Sequence, residues 1–190
     1  TLRDPVTLGP DGEGGSWAGV FGLVDLEHAT VTGAAEVWLT HPDGPAVTGS
    51  TLQAALLTIS TGAAFHHNDV AADATVGSLG GVDLHHNRFT GEGQVGCVTL
   101  EGLSGHRLLN NVFLECPLLM ESRPDEQPAG TMPPLVAQNN TFAAIKRYAV
   151  PAVTIYNRGG NMVEGSIDPF QFDTVPVEFR NNLVYGAWPE

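Results

Sequence analysis

The chain has 190 residues, with 21 Asp and Glu against 8 Lys and Arg, for a formal net charge of −13. That excess of negative charge argues against a nucleic-acid partner and against docking on anionic membranes, and no apolar run is long enough to span a bilayer. With 23 Gly, 13 Pro, much Thr and Val and little Lys, the composition favours strands over helices.

Taken in chain order, residues 1–20 read as a loop-rich start, with Gly9-Pro10-Asp11-Gly12 and Gly14-Gly15 close together. Val24-Asp25-Leu26-Glu27-His28-Ala29-Thr30-Val31-Thr32-Gly33 follows, and it aligns without a gap to Val82-Asp83-Leu84-His85-His86-Asn87-Arg88-Phe89-Thr90-Gly91; six of the ten positions are identical. The interval from Ala29 to Asn68, with Val47 and Thr48-Gly49 inside it, has room for one further unit. Ser50 to Ser60 is the best helical candidate, through Leu52, Ala55, Leu56 and Ile59, although its Thr content and β-branched end weaken it.

From Asn68 onward an Asn-x-apolar unit recurs: Asn68-Asp69-Val70, Asn87-Arg88-Phe89, Asn111-Val112-Phe113, Asn140-Thr141-Phe142, Asn161-Met162-Val163 and Asn182-Leu183-Val184. The intervals are 19, 24, 29, 21 and 21 residues, a period that signals stacked repeats burying their apolar faces against one another. Before the Asn, apolar and polar residues alternate, as Val82 and Leu84 do with Asp83 and His85, which is the period of a half-buried strand. The expected unit is a short strand, a tight turn carrying Asn, and an inward apolar residue. Stacked units place the six Asn about 4.8 Å apart, where their amides bond one another and where Asn tolerates left-handed backbone angles. Residues 123–134 and 165–176 are Pro-rich and read as protruding loops.

These strand–Asn-x-Phe/Val units at irregular intervals resemble the right-handed parallel β-helix superfamily, the pectin-lyase-like fold, over about Val24 to Tyr185. The fold expected is an all-β, right-handed parallel β-helix solenoid of roughly seven to eight coils, a single domain over residues 1–190 without obvious end caps. The opening at Thr1 and the missing caps suggest a processed chain or a piece of a longer one. The resemblance implies no single activity, because the fold hosts lyases, hydrolases, esterases, epimerases and structural proteins alike. It also implies that a site, where one exists, lies on an exposed sheet in a groove walled by loops.

On that face, Asp83 and His85 are expected side by side, with His66 one coil below and Arg107 one coil above. An acid, two imidazoles and a guanidinium suit a carboxylated sugar. Lys146, paired with Arg147, is a further candidate, since uronic-acid lyases of this fold need a base and a cation. The competing reading is an ordinary solvated face. His66-His67 stacked on His85-His86 gathers four imidazoles, but only Asp69 or Asp83 is near enough in sequence to close a metal set, so no metal and no cofactor are expected. Cys97 and Cys116 each precede an apolar run and are expected to begin a second strand per coil, as stacked buried thiols first and as a disulfide between coils second. The function expected is a non-catalytic β-helix segment of a secreted or cell-surface protein, a stiff scaffold or a surface for carbohydrate or protein. The alternative is part of an enzyme acting on a uronic-acid polysaccharide. Expected partners are polysaccharide, or chain segments packing on the open ends of the solenoid.

Overall fold

The computed structural model describes residues 6–10, 17–22, 25–39, 46–59, 63–77, 81–91, 97–102, 105–122, 134–143, 152–157 and 177–185. Within them the chain is an all-β parallel solenoid without helix. One sheet has seven strands, which in stacking order are Leu26–Glu27, Ala46–Thr48, Ala64–His66, Asp83–His85, Arg107–Leu109, Leu135–Gln138 and Val177–Arg180. We call it the short-strand sheet. A twelve-stranded sheet takes the chain after each turn. In the early coils it is built from the long strands Ala29–Leu39, Thr51–Ile59 and Asp69–Gly77. In later coils the same path is divided, as in Arg88–Thr90 followed by Val98–Glu101. Every strand pairing is parallel among the described residues, so each rung lies directly on the one before it.

The turn between the sheets recurs in detail. The residue before each ladder position is left-handed: His28 (φ 52°), Gly49 (60°), His67 (58°), His86 (56°), Asn110 (57°), Asn139 (57°) and Asn181 (52°). Left-handed tolerance is therefore required one residue earlier than the sequence suggests, and Asn, His and Gly share that position. The ladder asparagine itself is buried and forms the rung-to-rung bond. Asn87 donates from both its backbone N and its side-chain Nδ2 to Oδ1 of Asn111 (3.0 Å each), and its Nδ2 also reaches the carbonyl of Phe65 (2.8 Å). Asn68, Asn111 and Asn140 repeat this pattern towards Asn87, Asn140 and Asn182. One buried side chain thus satisfies donors and acceptors on two neighbouring rungs, which offsets the cost of burying an amide.

Inside the turn the phenylalanines stack. Ring centroids are 5.2 Å apart for Phe89 and Phe113, and 4.7 Å for Phe113 and Phe142, at 11° and 7° between planes. Phe65 and Phe179 extend the stack from the short-strand sheet. Leu26, Val47, Leu84, Leu108 and Ala137 fill the inner side of that sheet and are fully buried.

Four expectations change. First, seven to eight coils are not matched: the regular part, in which a buried Asn and a fully buried Phe recur on each rung, amounts to about 4 turns. Below Asn68 the column continues through the hydroxyl of Ser50, which accepts from Ala29 N (3.0 Å), while Ser50 N donates to Asn68 Oδ1 (2.9 Å). At the far end Leu183, Val184 and Tyr185 are exposed, so counting Asn motifs overcounts closed turns. Second, Asn161 lies outside the described residues, and the ladder passes directly from Asn140 to Asn182. Third, the helical candidate forms the strand Thr51–Ile59: Leu52, Leu57 and Ile59 are buried and pair with the neighbouring rungs. Fourth, Cys97 and Cys116 are joined as a disulfide (Cα–Cα 4.9 Å) rather than stacked as thiols. Each does precede a strand, Val98–Glu101 and Leu118–Ser122, whose parallel register brings the two cysteines together on adjacent rungs. The loop expected at residues 165–176 lies outside the described residues, as does that at 123–134 except for Pro134.

Phe113→Ala is expected to cost about 3–5 kcal/mol in a denaturant titration, as for a large aromatic removed from a tight core. Asn111→Ala, which strips an acceptor from two donors of Asn87, should cost at least about 2 kcal/mol, and Asn182→Ala at the open end should cost less. A loss below about 1 kcal/mol for Phe113→Ala would contradict its place in the stack.

Candidate functional site

The outward residues of the short-strand sheet stand in register. Ala46, Ala64, Asp83, Arg107, Val136 and Glu178 form one column, and Thr48, His66, His85, Leu109, Gln138 and Arg180 form the next. The strand period puts these side chains outside because their neighbours Phe65, Leu84 and Leu108 are fully buried. Asp83, His85, His66 and Arg107 are therefore brought together on one face. Lys146 lies outside the described residues.

Arg107 donates from Nη1 to Oδ2 of Asp83 at 3.0 Å, an ion pair between adjacent rungs. The other carboxylate oxygen, Oδ1, is shielded from solvent and has no hydrogen-bond partner among the described residues. Within two rungs of Asp83 its column carries Ala46, Ala64, Arg107 and Val136, so among the described residues this column offers it no second carboxylate at the separation glycosidases use.

The imidazoles are the denser feature. His66 and His85 stack with centroids 4.6 Å apart and planes 3° from parallel; His67 and His86 do the same at 4.9 Å and 1°. Within a rung the rings are perpendicular, and their Nδ1 atoms meet, at 3.2 Å for His66 and His67 and at 3.1 Å for His85 and His86. His66 Nδ1 also lies 3.0 Å from Thr48 Oγ1. His67 and His86 occupy the left-handed turn position and His66 and His85 the strand end, so one corner presents two perpendicular columns of rings. His28 belongs to the same corner, two rungs below His67. Gly49 separates them, and a Cβ there would lie 2.6 Å from His28 Nδ1, so the His28 ring folds over the glycine. The repeated His-His pairs were visible in the sequence. That their Nδ1 atoms converge was not, because it depends on the left-handed turn rotating the second ring against the first.

Both strand-end histidines are held below the ordinary histidine range. For His66 burial is the main cause and the neighbouring His67 the next; for His85 burial again leads, followed by His66. Asp83 opposes the shift in each case. A depressed histidine means that the unfolded chain binds more protons than the folded one between the two values. The stability these groups contribute is then fully present above their ordinary value of 6.5 and is lost as pH falls through the lower folded value. Lowering pH from about 7.5 to about 5.5 should therefore lower the denaturation midpoint. His85→Gln, a residue the fold already carries at the equivalent Gln138, should make that decline shallower. An identical slope in the variant would show that the stack does not couple to folding.

Compared with protein-family models, characterised proteins and solved structures, the chain gives no match. What it does must be read from this face and this corner.

Proposed function

We propose that the chain is a non-catalytic β-helix segment of a secreted or cell-surface protein, a stiff scaffold whose flat short-strand sheet faces carbohydrate or protein. The observation that carries this reading is the Asp83–Arg107 pair. The acid and the cation that a polyuronate enzyme would direct at its substrate bond each other at 3.0 Å. Such an exposed pair contributes little to stability, but it leaves neither group poised for proton transfer or for neutralising a sugar carboxylate. A disulfide between rungs suits an oxidising compartment. The regular rungs suit the right-handed, pectin-lyase-like form of the solenoid, in which long parallel sheets resist bending.

One observation favours the second reading, an enzyme acting on uronic-acid polysaccharide. His66 and His85 are biased towards the neutral form beside that ion pair, and a neutral imidazole can accept a proton. The two readings separate in one experiment. The protein is incubated with polygalacturonate and with alginate, ultraviolet absorbance of an unsaturated product is followed, and retention on gels containing each polymer is recorded. The scaffold reading expects no product with either polymer, whether or not the chain is retained on the gel. Product formation that disappears in Asp83→Ala and in His85→Ala, with both variants still folded, would replace it with the enzyme.

A further inference from the structure

We propose that His66, His67 and His85 form a binding site for a late first-row divalent cation, Cu²⁺, Ni²⁺ or Zn²⁺. The ligand atoms of these three imidazoles lie within 4.8 Å of one another. Two of them already stand at chelating distance. With metal–nitrogen bonds of about 2.0–2.1 Å, neighbouring ligand nitrogens sit about 2.9 Å apart in a square plane and about 3.4 Å apart in a tetrahedron. The Nδ1 atoms of His66 and His67 are 3.2 Å apart, between those limits. The third ring is stacked on His66 from the next rung at 4.6 Å, and to close on the pair it must rotate away from His86, whose Nδ1 lies 3.1 Å from its own.

The backbone holds the set open without a metal. His67 is fixed in the left-handed turn, and its N donates to the carbonyl of His85 at 3.2 Å, which ties the two rungs together at the site itself. In the free protein each Nδ1–Nδ1 contact needs one proton shared between two nitrogens, since two lone pairs or two N–H groups facing at 3.2 Å repel. A cation replaces that proton and accepts both lone pairs. Imidazole donors select late transition metals over Mg²⁺ or Ca²⁺. Three imidazoles make a complete protein set with one position left open, so a carboxylate ligand is not required. Asp83 stands two residues from His85 on the same face, its Oδ2 paired with Arg107 and its Oδ1 without a hydrogen-bond partner among the described residues.

The fold supplies its own controls. His67 occupies the position held by Asn110 and Asn139 on other rungs, and His85 the position held by Gln138, so His67→Asn and His85→Gln preserve the turn and the strand. His28→Asn removes an imidazole from the same corner two rungs away. The protein is stripped with EDTA and titrated calorimetrically with each metal salt, and its thermal unfolding is recorded with and without metal. The expected result is one equivalent bound, Cu²⁺ tightest as the Irving–Williams order requires. His67→Asn and His85→Gln should each weaken binding by about tenfold or more, with His28→Asn unchanged. Metal should raise the unfolding temperature of the parent and of His28→Asn more than that of the other two, because a ligand for the native state stabilises it by mass action. Two results overturn the proposal: no saturable binding, or a loss in His28→Asn as large as in His67→Asn and His85→Gln. Equal unfolding temperatures of all four proteins in EDTA separate lost binding from lost folding.

Discussion

The bond between one asparagine amide and the next sustains this fold. A parallel solenoid must turn sharply on every coil, and each turn carries backbone and side-chain polar groups into the interior. In the regular rungs a single Asn answers for them: its Oδ1 accepts the backbone and side-chain N–H of the Asn below, and its Nδ2 donates to the Asn above and to a carbonyl below. Once this is satisfied, the turn can sit against the phenylalanine stack without an orphaned group, and strand pairing and core packing proceed in register. Buried networks of this kind stabilise only when every member is paired. Four consecutive buried asparagines from Asn68 to Asn140 meet that condition, each handing on to the next.

Much of this arrangement was legible in the sequence, because side-chain period and repeat spacing are local. Distance from Asn predicts the columns Ala64–Asp83–Arg107–Val136–Asn157–Glu178 and His66–His85–Leu109–Gln138–Gly159–Arg180; strand pairing reproduces them except that Asn157 pairs with Ser122 in the other sheet and Gly159 lies outside the described residues. Errors arose where chemistry substitutes for identity. Ser50 performs part of the work of Asn with a shorter side chain, so a search for Asn passes over its rung. Asn161 carries the motif Asn-Met-Val but lies outside the described residues, and Asn140 bonds Asn182, 42 residues further on. The disulfide depends on registering Val98 against Leu118, a pairing between strands that spacing alone does not specify.

The candidate site follows from the indifference of the scaffold to what points outward. The strand-end column accepts Thr, His, Leu, Gln and Arg in turn, and the left-handed position accepts His, Gly or Asn. Neither set points into the core, so these positions can vary without repacking it. On two successive rungs both positions are histidine, and the turn geometry rotates paired rings until their Nδ1 atoms face. The same freedom allows Asp83 and Arg107 to satisfy one another across a rung, which turns potential reactants into a surface ion pair. Two imidazole pairs therefore stand beside an ion pair at this corner.

The asparagine column also has a direction. Each backbone amide at the ladder position donates towards the rung that follows, never towards the one before, so the two ends of the column are chemically unlike. Two such columns meeting nose to nose would oppose donor to donor or acceptor to acceptor. Only head-to-tail addition carries the pattern past Asn182, and it needs an incoming strand with a side-chain oxygen, from Asn or from a hydroxyl residue as Ser50 shows, at that corner. Polarity of the hydrogen-bonded column therefore sets which surfaces can lengthen this solenoid.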